Sequence, residues 1–201
     1  MQFYHPGLRA PWSSDSGAGR FLRRALFALV LSVAGLLPAA GSIYAQHLKL
    51  DALCAQANRI FRGTVLTVTA GQVSVGGGSL PTATYKIQVK DTMAGTVAET
   101  VTLTMVSEPK ARPQQGNIQR QPVLELPTLE EGKEYLLFLT KPSKIGLTSP
   151  VGLVQGCFTI TKKGDTEFAV NGVNNAGLGI GDGGPVKYEE LAKRIQALRP
   201  N

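Results

Sequence analysis

Between Ile60 and Val170 the apolar residues come in short alternating or continuous stretches, and no helical periodicity separates one stretch from the next. Parallel strands need long crossovers, usually helices, so a parallel sheet is disfavoured. The expected fold is all-β: a small antiparallel β-barrel of about five to seven strands, or a β-sandwich. Thr84–Val89 puts Tyr85, Ile87 and Val89 on one face, and Thr100–Val106 does the same with Val101, Leu103 and Met105. Tyr135–Leu139 is continuously apolar, as a central strand should be. Val151–Thr161 is interrupted by Gly152 and Gly156, and Thr166–Val170 returns as a hairpin after Lys163-Gly164-Asp165. Ile60–Thr69 is the first strand, where Gly63 predicts a bulge or a close backbone approach.

The segments between these strands are weaker. Leu48–Arg59 predicts a short helical turn or irregular backbone around Cys54. Residues 70–81 hold four glycines and read as a flexible connection, with a small strand at Gln72–Val75. Residues 108–122 are a polar, exposed loop whose Lys110, Arg112 and Arg120 are solvated charge. Residues 171–184 hold six glycines and read as loop, with Gly177–Gly184 as a flexible linker. Tyr188, Leu191, Ile195 and Leu198 recur at helical spacing after Pro185 and mark a C-terminal helix that packs on the barrel.

The first 45 residues stand apart from this pattern. Arg20, Arg23 and Arg24 precede an uncharged apolar run, Ala25–Pro38, and Ser42-Ile43-Tyr44-Ala45 closes the segment. A basic start, a short apolar centre and a small residue at the cut are the parts of a secretion signal. Cuts after Ala40 or Ser42 are alternatives. The run falls short of the ~20 residues that span a bilayer. The expected location is therefore secreted or periplasmic, with the membrane met only transiently; the alternative is an anchor that stays uncleaved. The domain plan is a signal at 1–45, a barrel at 46–184 and the helix at 185–201.

Loss of that leader removes four arginines and one aspartate from the 21 basic and 14 acidic residues, so the remaining charge is about +4. No basic patch interleaved with aromatics is present, and no nucleic-acid partner is expected. Cys54 and Cys157 both lie in the exported part. An oxidising compartment favours a single Cys54–Cys157 disulfide. Such a bridge would close a loop worth ~4–5 kcal/mol by chain entropy. Two separate buried thiols are the alternative.

Catalytic chemistry is sparse. His47 is the one histidine left after the leader, and it sits near the new terminus, a poor place for a triad. A zinc site needs three or four suitable ligands, which one histidine and two distant cysteines do not offer. Glu130, Glu131 and Glu134 cluster, but as a solvated turn. Gly177–Gly184 lacks the Lys-Ser/Thr ending of a phosphate loop. Asp165 and Asp182 are isolated and make no calcium loop. No catalytic residue, metal or cofactor is expected.

Two motif groups carry a family resemblance. Cys54-Ala-Gln-Ala-Asn-Arg-Ile-Phe-Arg-Gly-Thr-Val65 resembles the start of the OB-fold in tissue inhibitors of metalloproteinases: a cysteine, a short helix, then a hydrophobic-x-Gly-x-Val strand. Gly132–Leu139 and Gln155–Ile160 resemble strands of a broad group of secreted bacterial domains that share this first strand. In the inhibitors a terminal cysteine chelates the protease zinc and a second cysteine follows two positions on. Here Gln56 stands at that second position, and cleavage near Ala45 leaves residues ahead of Cys54. The resemblance therefore implies the fold more than the inhibition. The expected function is an exported, non-enzymatic β-barrel binding module with an extracytoplasmic protein as ligand. The alternatives are a metalloprotease inhibitor and a membrane-anchored envelope structural protein.

Overall fold

The computed structural model describes residues 47–107 and 125–199. The expected signal segment and the polar loop with Lys110, Arg112 and Arg120 lie outside the described residues. A short helix α1 (Leu50–Gln56) leads into two long strands, β1 (Arg59–Val75) and β2 (Gly78–Ala94), followed by β3 (Thr100–Val106) and β4 (Glu134–Leu139). A single 3₁₀ turn (Leu153–Gly156) precedes β5 (Cys157–Lys163), β6 (Thr166–Asn171), the two-residue β7 (Val186–Lys187) and helix α2 (Tyr188–Leu198). All strand ladders are antiparallel, in the order β3-β2-β1-β4-β5-β6-β7. The all-β expectation and the C-terminal helix are both met.

The ladders themselves leave the sheet open. Two single bridges, a parallel one between Thr104 and Leu147 and an antiparallel one between Leu139 and Pro150, set residues 147–150 between β3 and β4. Curling the sheet this way gives it two apolar faces. Leu136, Phe138, Phe158 and Ile160 face α1 and α2 and pack with Leu53, Leu191 and Ile195. Tyr135, Leu137 and Leu139 alternate to the opposite face and pack with Phe61, Tyr85, Ile87 and Leu103 inside the curl. Period-two alternation thus divides one strand between two cores. Phe138 and Phe158 meet across the pairing, ring centroids 5.5 Å apart and tilted by 45°.

Two of the sequence expectations need correction. Residues 70–81 are not a flexible connection: β1 and β2 pair continuously out to Val75 and Gly78. Gly76 and Gly77 take φ of +57° and +79°. Positive φ at both loop residues is what a two-residue hairpin turn with the sheet's own twist demands. Residues 172–184 are loop as expected, but Gly177–Gly184 is not a flexible linker. Asn175, itself at φ +57°, is buried and acts as a bolt. Its Nδ2 donates to the carbonyls of Ala169 (2.9 Å) and Gly184 (2.7 Å), and its Oδ1 accepts from the Asn171 N–H (3.0 Å). Leu178 and Ile180 from the same loop are buried beneath it in the helical core.

Gly63 marks a shift in register between β1 and β2, as its place inside a strand predicts. A Cβ there would meet the Gln88 carbonyl oxygen at 2.6 Å, so only glycine lets the two backbones approach this closely.

Candidate functional site

Sequence reasoning gave no role to Arg62, yet it is the centre of the charged groups in the fold. It stands on β1 among apolar neighbours and is 9% exposed. Its Nε donates to Glu134 on β4, and its Nη1 and Nη2 each donate to Glu167 on β6 at 2.7 Å. The Tyr188 ring lies 4.2 Å beneath the guanidinium, a cation–π contact at the first residue of α2. Lys90 from β2 completes the group with a 2.9 Å bond to Glu134.

The protonation of this cluster follows from its contacts. The fork of Arg62 onto Glu167 raises the guanidinium's already high pKa against the opposing effect of burial. The Glu167 carboxyl is held below the usual carboxylate range by Arg62. Burial pushes Glu134 up, but its bonds to Arg62 and Lys90 outweigh that and leave it lowered. Burial pushes the Tyr188 phenol up to about 12, against the pull of Arg62. Every nitrogen of the Arg62 fork is engaged and both carboxylates are ionised. A group so saturated holds β1, β4, β6 and α2 together, and it offers no free acid or base.

The glutamates of the 130–134 turn do not converge. Glu130 bonds Lys133, Glu134 joins Arg62, and Glu131 accepts the Val68 N–H at 2.7 Å. Among the described residues, no three His, Cys, Asp or Glu side chains are grouped so as to hold a metal ion.

The expected Cys54–Cys157 bridge is not formed. Both residues are buried free thiols. Cys54 packs in the core under the helices, and Cys157 points into the opposite core inside the curl. The adjacent Phe158 faces the helical side, so strand alternation itself turns Cys157 away from Cys54. Burial raises the two thiols to about 11 and about 12 respectively, which keeps them protonated and inert. The Cys54 carbonyl accepts from Arg199 Nη1 at 2.8 Å. Ahead of Cys54, the Leu48 N–H donates to Gln155 Oε1 at 2.7 Å and the Leu50 N–H to the Leu178 carbonyl at 3.0 Å.

The second notable region is the outer half of the β1–β2 hairpin. Its flanking strands stop short: β4 pairs β1 only from Arg59 to Thr64, and β3 pairs β2 only from Thr82 to Gln88. Single bonds carry the contact on, from the 131–133 turn to Val65 and Val68 and from Ser107 to Pro81, and beyond them the hairpin stands out as a two-stranded arm. No charged residue occurs between Arg62 and Lys86. Leu66 and Val75 are 44% and 46% exposed, and Val73 and Leu80 pair with each other half-buried on the arm. A groove of about 480 Å³ lies elsewhere, floored by Leu50, Leu178, Ile180 and Leu198 beside the end of α2.

Among the described residues, no helix is long and apolar enough to cross a membrane. No family model matches the chain, and no curated protein or solved structure is significantly similar to it.

Proposed function

We propose that this chain is an exported, non-enzymatic β-module that binds a protein through the β1–β2 arm. The arm is the observation that carries the reading. Exposed strands in soluble proteins are ordinarily guarded by charge, proline or a covering element. Here the exposed β1 side of the arm has none of these, which is the condition of a surface built to be covered by another chain. The saturated Arg62 cluster and the inert thiols support a binding role over a catalytic one. The leader supports export, and the strand order with its bridging segment 147–150 is in keeping with an OB-type barrel.

The inhibitor alternative gains no support from the surroundings of Cys54. Chelation needs that residue's amine and carbonyl at a free end, whereas Cys54 sits mid-helix, 1% exposed, with its carbonyl bonded to Arg199. The anchored-envelope alternative rests on the leader alone.

A photo-crosslinking amino acid placed at Val75 of the exported chain tests the reading, with Asp165 in the β5–β6 turn as the control position. An adduct at Val75 and none at Asp165 is expected, whatever the mass of the captured chain. No adduct at either position would sink the arm as a docking element. Robust hydrolysis by the purified protein, abolished by one carboxylate substitution, would overturn the non-enzymatic reading.

A further inference from the structure

The two edges of the arm are not equivalent. In a two-residue hairpin the residues flanking the turn bond to each other, and the residues next to them turn their N–H and C=O outward. Val75 and Gly78 are the flanking pair. Ser74, Gln72, Ala70 and Val68 therefore point their backbone groups away from β2. The Val68 N–H confirms this phase by donating to Glu131. On β2 the outward positions are Ser79 and Pro81. Proline lacks an N–H, and the Pro81 carbonyl is taken by the Ser107 N–H at 3.0 Å. The β2 edge is thus closed at Pro81, which leaves Ser79 as its single open position on the arm. Among the described residues, nothing meets the β1 edge at Ala70, Gln72 and Ser74.

We infer that this edge pairs with the same edge of a second copy of the chain, antiparallel about Gln72. The inference rests on the reading of the arm as a docking element and names its occupant. A strand edge specifies another strand, because only a strand supplies donors and acceptors at matching spacing. Antiparallel pairing of identical strands is a two-fold, self-complementary contact. With Gln72 on the axis, Ala70 faces the partner's Ser74 and Ser74 faces the partner's Ala70, so every outward donor finds an acceptor. The usual obstacle to self-pairing is like charge meeting like charge across the axis. The stretch from Gly63 to Tyr85 has no charge of either sign, so that obstacle is missing. The residues along the edge are small, Ala70, Gly71 and Ser74, and all three are exposed. The product is a continuous four-stranded ribbon that runs β2-β1-β1-β2 between the two bodies.

Sedimentation velocity of the purified exported protein over a range of concentrations tests this. A reversible dimer is expected. The double variant Ala70→Lys/Ser74→Lys sets lysine opposite lysine twice and should weaken the dimer about tenfold. The pair Ala70→Lys/Ser74→Glu sets opposite charges across the same axis and should restore it. These side chains are exposed, so melting temperatures should match the wild type and separate lost association from lost folding. A wild-type protein that stays monomeric at all concentrations overturns the inference. So does a dimer indifferent to both charge variants. The Val75 adduct distinguishes the two readings: twice the chain mass supports self-pairing, while a monomer in the centrifuge with an adduct of another mass sinks self-pairing and leaves the arm as a docking element. A monomer with no adduct removes both.

Discussion

Strand β1 passes through two regimes within its own length. Its inner half, Arg59 to Val65, is flanked by β2 and β4, and it carries a buried charge held by two carboxylates and an aromatic ring. The outer half, Leu66 to Val75, is paired as a strand with β2 alone, largely exposed, and free of charge. This inverts the usual placement, in which charge faces water and apolar surface is covered. The inner half has been closed by this chain's own elements. The outer half sets uncharged side chains in water, with Leu66 and Val75 exposed among threonine, glutamine and serine.

The contrast can be broken most forcefully from the inner side. Phe158→Ala removes a fully buried ring from its contact with Phe138 and should cost about 3–5 kcal/mol in urea unfolding. Arg62→Met should cost about 3 kcal/mol, because it leaves Glu134 partly buried with Lys90 alone. The same variant carries a pH signature. Glu134 and Glu167 titrate lower in the folded state than in the unfolded one. Their contribution is complete above an ordinary carboxylate pKa of about 4.3 and is lost as pH falls through the lowered folded values. Stability in that acid window should therefore rise with pH in the wild type, with a clearly shallower slope in Arg62→Met. An unchanged slope would remove the electrostatic account of the cluster. Cys54→Ser places a hydroxyl in an apolar core and should cost about 2 kcal/mol. Its loss should be equal with and without reductant, whereas a loss confined to oxidising conditions would restore the disulfide. Val73→Ala, on the arm, should change stability by less than about 0.5 kcal/mol. A larger cost would make the arm part of the core and erase the comparison.

Much of the sheet was legible in the sequence where one face is buried and the other is not. Tyr85, Ile87, Val101, Leu103 and Met105 record that asymmetry as alternation, and they fall on the strands and face expected. The arm left only a broken record. Leu66, Val68 and Ala70 alternate with threonines and Val73 and Val75 with Gln72 and Ser74, but the phase changes at Gly71, and the run Gly76–Gly78 reads as a loop although two of those glycines make a tight turn. The Arg62 cluster was hidden for another reason. Glu134 and Glu167 lie 72 and 105 positions along the chain from Arg62, and no local spacing reports a contact made by sheet order. The glycine-rich loop misled because glycine content signals freedom of the backbone, while the side chain of Asn175 removes that freedom.

Gly63 has a consequence for ancestry. Its closeness to the Gln88 carbonyl leaves no space for any side chain, so the position cannot drift without rebuilding the crossing of β1 and β2. Homologues that share this crossing should keep glycine there while the letters of the arm change freely, provided none becomes charged. A lineage in which lysine or glutamate invades positions 66–75 would be one that has given up whatever the arm touches.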